Sequence, residues 1–308
     1  MQIGRVLSIH RFPVKSMGGE ELEHCEVGAE GLFGDRAFAL RDEAAGEIRG
    51  GKRLPRLMLC SARYLHEPTG ASLPHAAIAF PDGSTTRTDD RQASRLLSDW
   101  LGREVTLCPR APASDTRHYR RKQAGAAVAG VLARSPALRK LISRLATLGP
   151  EGRALREDFG RTAGEPMPDL SVFPAEIFEY VSPLGTYFDA YPIHIVTTAT
   201  LAALREKLPA GDWDVRRFRP NFVVETGPEL AGFVESAWSG RVLRLGEVQL
   251  ECTVATPRCS MVSHEQPALP KDARLLRTIV REANQCVGIY ARVLHGGRVD
   301  RGAAALLA

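Results

Sequence analysis

The alternation Val248-Gln-Leu250-Glu-Cys252-Thr-Val254 places apolar side chains on one face of a strand and polar ones on the other, so Cys252 is predicted to lie in a core. Pro257 has no N–H to give to a ladder, which predicts that the strand stops near it and that Cys259 sits on a loop. The first hundred residues carry similar signals: Leu7 and Ile9 alternate with polar positions in RVLSIHRF, FAL (38–40) precedes the polar RDEAAGEIRGG, and AAIAF (76–80) runs into the turn residues Pro81-Asp82-Gly83. One amphipathic helix is predicted over about residues 90–101, with Leu96, Leu97, Trp100 and Leu101 on its apolar face and Gly102 as its stop.

The pattern changes between Cys108 and Asp169. QAGAAVAGVLARSPALRKLISRLATLG (123–149) is rich in Ala, Leu and Arg at helical spacing, with a break at Ser135-Pro136, and residues 160–174 are rich in Gly and Pro. Beyond them the apolar run IHIVTTATLAALREKL, then RRFRPNFVVETG, SGRVLRLGEVQLECTV and a final helix around LLRTIVREANQ lead into CVGIYARVL. The expected architecture is therefore α+β and β-rich: two β-barrel-like domains, 1–108 and 169–308, separated by a helical basic insertion and linker at 109–168.

Composition narrows the function classes. The chain has 308 residues, 44% hydrophobic and 25% charged, as an average globular protein has. It shows neither a membrane span nor a secretory signal, so a cytoplasmic protein with no membrane partner is expected. Six cysteines are scattered without a C-x-x-C pair, which argues against zinc ribbons, familiar iron–sulfur spacings and disulfide scaffolds. The net charge of +5 is concentrated: residues 110–165 hold 12 Arg/Lys against 5 Asp/Glu. Aromatic residues are nearly absent there, so a solvated helical surface is favoured over a nucleic-acid interface.

No G-x-x-x-x-G-K-[ST], G-x-G-x-x-G, H-E-x-x-H or G-x-S-x-G motif is present. Cys259 beside Arg258 is a candidate thiolate, with Arg216, Arg217 and Arg219 of RRFRP as further cations and His264 as a candidate base. Thr197 and Thr198 precede the helix TLAALREKL, where they either cap it or hold an anion. Lys15 and Ser16 close a strand, and Arg36 follows a Gly-Asp turn.

The order of FPVKSMGG (12–19), GLFGDRAFAL (31–40), FDAYPIHIVTTATL (188–201), RRFRPNFVV (216–224), WSGRVLRLGEVQL (238–250) and TPRCSM (256–261) resembles the MOSC family (molybdenum cofactor sulfurase C-terminal domain) with its amino-terminal β-barrel. That family includes the mitochondrial amidoxime-reducing component and related bacterial reductases of N-hydroxylated compounds. The resemblance implies a molybdenum–molybdopterin cofactor, with Cys259 as the catalytic residue and the thiolate on the metal. It further implies a cradle of Lys15, Ser16, Arg36, Thr197, Thr200, Arg219, Asn221 and Arg258, approached by Tyr290. The implied reaction is a two-electron reduction of a small N-oxygenated substrate, supplied by a separate electron-donor protein that the basic insertion could dock. A carrier of sulfur or cofactor, with a persulfide on Cys259, is the alternative. Relatives often show a run of threonines after the cysteine, where this chain has SMVSHEQPALP. The pyridoxal-phosphate-dependent desulfurase domain of the full cofactor sulfurase has no counterpart here, so desulfuration of cysteine is not expected.

Overall fold

A computed structural model describes residues 1–122, 126–145 and 148–308. Seven strands close into a barrel. Around the ring stand Phe222–Thr226, Ile193–Thr197, Cys286–His295, Val248–Pro257, Val242–Leu245, Ala304–Leu307 and Gln2–Arg11, which pairs back onto Phe222–Thr226. All neighbours are antiparallel except Ile193–Thr197 and Phe222–Thr226, whose parallel pairing is reached by a crossover containing the helix Thr198–Lys207. Ile9, Ile195, Phe222, Leu243, Leu250, Cys252 and Ile289 are fully buried in the interior, so Cys252 is core as its strand pattern predicts.

Six of the seven strands come from the second half of the chain, but the seventh is its first strand. The barrel is therefore not built from residues 169–308 alone. A three-stranded sheet of His24–Gly28, Gly31–Leu32 and Gly297–Asp300 ties the two ends of the chain together again. The seam closes tightly at Gly4, at φ 154°, where a Cβ would lie 1.8 Å from the carbonyl oxygen of Glu225. Only glycine permits that approach.

Two bulges shift the alternation read from the sequence. The register slips between Val6 and Ser8, so Val6 and Ile9 are buried and Leu7 is only partly so. Another slip between Cys252 and Ala255 leaves Val254 partly buried instead of in the core.

The rest of the first half forms two three-stranded sheets, Val105–Pro109 with Phe38–Asp42 and Glu47–Arg49, and Ser61–Tyr64 with Ala76–Ala79 and Thr85–Arg87. They enclose Val14, Leu40, Leu57, Ile78 and Leu97. The helix Ala93–Leu101 ends at Gly102 in the left-handed conformation, φ 65°, as expected. In the insertion, helices Ala126–Ala133, Pro136–Leu145 and Gly149–Phe159 follow the predicted helical pattern and its break at Ser135-Pro136. Residues 123–125 and 146–147 of that stretch lie outside the described residues.

Candidate functional site

Pro257 is the last residue of its strand, and Cys259 follows on a loop, half-buried, capping the short 3-10 turn Ser260–Ser263. The loop faces turns of the first half. Lys15 Nζ donates to the carbonyl of Tyr187 at 2.7 Å and to Asp189 Oδ1 at 2.6 Å. Arg36 donates to the carbonyl of Arg219 at 3.3 Å, and Arg219 Nη1 to the carbonyl of Met17. Arg258 Nη2 donates to the carbonyl of Phe218 at 3.0 Å, and its N–H to that of Gln285 at 2.9 Å. The Phe12 ring lies under both Arg36, at 5.0 Å, and Arg219, at 4.1 Å.

Tyr290 lies in the same neighbourhood. Burial, with Asp189 and Cys259 close by, pushes its phenol above the ordinary range, while Arg258 and Arg36 pull the other way. At neutral pH it is a neutral hydroxyl. Burial raises the Asp189 carboxyl, but Lys15, Lys52 and Arg36 outweigh it and hold it below the usual carboxylate range, with its side chain 62% exposed. Burial lowers Lys15, against the pull of Asp189 and with the push of Arg36 and Lys52.

Two features mark this cleft, where the Cys259 loop faces the turns of the first half. Of the six non-glycine residues with positive φ among the described residues, Ser16, Arg36, Arg219 and Gln285 lie here. Such backbone costs roughly 1–3 kcal/mol per residue and persists only where the surroundings impose it. Secondly, seven buried side-chain nitrogen or oxygen atoms among the described residues have no partner, and two of them belong to Arg219 and Arg258 of this cleft. Arg219 Nη2 and Arg258 Nε are guanidinium nitrogens in that set. Burial first, and then the adjacent Arg36, push Arg219 down to about 9. A group of cations this close, with donors left over, has the chemistry of an anion site.

The other predicted ligands are used differently. Ser16 Oγ accepts from the N–H of Gly51 at 2.8 Å and so braces the Gly50-Gly51 loop. Asn221 is fully buried: its carbonyl accepts from the N–H of His194 at 3.0 Å and its amide donates to Asp35 Oδ2 at 2.9 Å, leaving no free edge for a pterin. Thr197 and Thr200 are fully buried, with hydroxyls that donate to Glu235 Oε2 at 2.7 and 2.6 Å. Thr197 also caps the helix by accepting from the N–H of Thr200. An internal carboxyl group thus fills the position at this helix start, completed by the N–H of Gly288 on Oε1 at 3.2 Å.

Glu235→Ala orphans three donors, and at about 1–3 kcal/mol each is expected to cost roughly 3–9 kcal/mol, read from urea unfolding at neutral pH. Burial pushes the Glu235 carboxyl above its ordinary range. A raised acid is favoured neutral in the fold, so its ionisation lowers stability as pH rises from about 4.3, the unfolded value, through the folded one. Glu235→Gln is expected to remove that slope.

Arg217 and Arg161 brace the cysteine loop from either side. Arg217 donates to the carbonyls of His264 at 3.1 Å and Pro270 at 2.9 Å. Arg161, buried, donates through Nη2 to the carbonyl of Arg258 at 3.0 Å and to Gln285 Oε1 at 3.3 Å. Ser260 Oγ donates to the carbonyl of Asp158 at 3.0 Å, and a Cβ on Gly160 would lie 3.1 Å from that of Ser260. Residues 158–161, where the last insertion helix runs into the Gly- and Pro-rich stretch read as linker, are thus a wall of the site. Arg216 instead pairs with Asp214 on the surface, and His264 is lowered by burial and by Lys271, with its Nε2 unpartnered.

Hollows of ≈ 460 Å³ at Asp212, Trp213 and Asp214, and of ≈ 530 Å³ at Arg53, Leu54 and Arg56, lie apart from this cleft. Among the described residues no three His, Cys, Asp or Glu side chains form a metal-ion group.

No curated protein matches the chain. Among solved structures it is similar to the YUAD protein of Bacillus subtilis, at 11% identity over 99% of this chain and 94% of that one, TM-score 0.42. It is also similar to YiiM of Geobacillus stearothermophilus, at 20% identity and TM-score 0.28, and YiiM of Escherichia coli, at 16% and 0.28. Both matches cover 38% of this chain and 54% of YiiM, so the chain spans about half of the YiiM proteins. The family model described as the MOSC domain matches residues 185–305, and that described as the MOSC N-terminal beta barrel domain matches residues 3–103. On these two matches, which bracket the cleft's residues on both sides of the insertion, the chain belongs to the MOSC domain family.

Proposed function

We propose that this protein holds the molybdenum–molybdopterin cofactor in the cleft, with Cys259 as the sulfur ligand from the protein, and reduces small N-oxygenated substrates with electrons from a separate donor protein. The observation that supports it best is the pair of buried, unpartnered guanidinium nitrogens of Arg219 and Arg258 beside the Cys259 loop. They fit a phosphate-bearing group, and a loop thiolate fits a thiophilic metal.

When bound, the cofactor supplies two-electron redox chemistry and a place for the substrate's oxygen. The chain does the rest. Arg219 and Arg258 donate to anionic oxygens, and Arg36, stacked on Phe12, adds charge. Lys15, held by Asp189 and the Tyr187 carbonyl, presents a fixed cation at the cleft wall. Tyr290, packed at 5.5 Å on the His194 ring, offers a neutral hydroxyl able to donate to a substrate oxygen. Arg161 holds the Arg258 carbonyl and with it the approach of the next residue, Cys259. Of the implied cradle, Lys15, Arg36, Arg219, Arg258 and Tyr290 remain candidates for contact with the group, whereas Ser16, Thr197, Thr200 and Asn221 support the protein.

The test is reduction of an amidoxime by the purified chain with an artificial electron donor, alongside cofactor content. Arg219→Met is expected to cut cofactor retention about 10- to 100-fold, on the scale of lost supporting contacts at metal centres. Full retention in that variant would contradict the assignment of Arg219. An extra sulfur on Cys259 by mass spectrometry, with no amidoxime reduced, would put the persulfide carrier in its place.

A further inference from the structure

We infer that the outward face of the insertion helices Ala126–Ala133 and Pro136–Leu145 docks the protein on an anionic membrane surface. The second of these helices is inverted. Its inward side is polar: Ser143 is buried, accepting from the N–H of Leu170 at 3.0 Å, and Arg139 Nε donates to the carbonyl of Ala133 at 2.7 Å. Its apolar side faces solvent, with Leu138, Leu141 and Leu145 exposed by 41, 51 and 55%. These residues are spaced i, i+3 and i+7, so they form one stripe. The preceding helix exposes Val128, Val131 and Leu132 by 63, 58 and 42%. Single exposed leucines are ordinary; six exposed aliphatic side chains on two helices that pack on one another are not.

Charge selects the occupant. From Thr116 to Pro150 the sequence holds eight Arg/Lys and no Asp or Glu. Arg134 and Lys140 are exposed beside the stripe. A leucine and valine face on a segment whose own charges are all cations, with acids reaching it only from other segments (Glu179 at Gly130 and Asp169 near Lys140), matches the boundary between anionic headgroups and acyl chains, where the aliphatic groups leave water and the cations meet phosphates. A soluble acidic partner would complement the cations but would need its own apolar face to cover the stripe; the bilayer supplies both. Among the described residues no helix is long and apolar enough to cross a membrane, and none is required, since these helices lie in the interface. The expectation of no membrane partner rested on finding neither a span nor a secretory signal, and neither bears on a helix that lies in the interface. The inference is independent of the cofactor, because neither helix contributes a residue to the cleft.

The test is co-sedimentation of the full chain with vesicles of phosphatidylcholine containing about 30% phosphatidylglycerol, against phosphatidylcholine alone, at low and high salt. The wild type is expected to bind the anionic vesicles, more weakly as salt rises, with at least about tenfold preference over neutral ones, since each cation near the surface is worth roughly fivefold. The combined Leu138→Gln, Leu141→Gln, Leu145→Gln variant changes only outward positions, so its thermal midpoint should match the wild type; its partitioning is expected to fall about 100-fold. Failure of the wild type to bind anionic vesicles, equal binding to neutral ones, or unchanged binding by the folded variant would each overturn the inference. Loss of a self-associated form in the variant, without vesicle binding by the wild type, would overturn it in favour of a contact between copies.

Discussion

Cys259→Ala is expected to fold as the wild type does and to reduce an N-hydroxylated substrate at least about 100-fold more slowly, on the scale expected for loss of an element of a metal centre. The fold should survive because the loop is held by neighbours, not by the thiol. Arg161 holds the Arg258 carbonyl, Arg217 holds that of His264, and Ser260 is bonded to Asp158. Cys259 itself is only half-buried. Cys252→Ala makes the control. That thiol is fully buried in the barrel and burial pushes it up to about 12, so its loss should lower stability and leave turnover per folded molecule unchanged. Steady-state rates and thermal unfolding of both variants separate the two cysteines; equal rates for Cys259→Ala and wild type would contradict the assignment.

A fragment of residues 169–308 is expected not to fold. It lacks the strand Gln2–Arg11, which pairs with Phe222–Thr226 on one side and Ala304–Leu307 on the other. Its removal leaves two bare sheet edges and takes Ile3, Val6 and Ile9 from the core. At about 1.5–3 kcal/mol for each buried aliphatic side chain, the loss is roughly 5–9 kcal/mol, comparable with the whole stability of an ordinary domain. Circular dichroism of the fragment during heating should show no cooperative transition. A sharp transition with native-like strand content would show that the second half closes without the first strand.

That strand illustrates what a sequence withholds. Its β character is plain in RVLSIHRF, but its partners in the barrel are more than 200 residues away, and nothing local tells a strand of the first unit from one completing the second. The bulges near Leu7 and Val254 are equally silent, since each inserts one residue into an otherwise regular alternation. By contrast, Cys252 in the core and Cys259 past the strand end could be read directly, because alternation and the missing N–H of Pro257 act locally. Gly102 and Pro136 marked their helix boundaries for the same reason.

The site was legible in its cations and less so in its hydroxyls and amide. Lys15, Arg36, Arg219 and Arg258 do converge, while Thr197 and Thr200 turn towards Glu235, a carboxyl group 38 and 35 residues further on. A threonine before a helix looks the same in sequence whether it serves a ligand or an internal acid. Asn221 faces the interior because Asp35 and His194 take its amide. Arg161 was hidden in a stretch whose glycines and prolines read as linker, although those residues let the chain fold back onto the cysteine loop.

The central claim is that Cys259 and the cations around it hold molybdenum. Elemental analysis of the full chain, purified from a host that makes the cofactor, tests it most directly. About one molybdenum per chain in the wild type and almost none in folded Cys259→Ala is the expected result, with the protein thiolate as the deprotonated ligand such a centre needs. Folded wild-type protein from that host with no molybdenum, or Cys259→Ala that keeps a full complement, would contradict it.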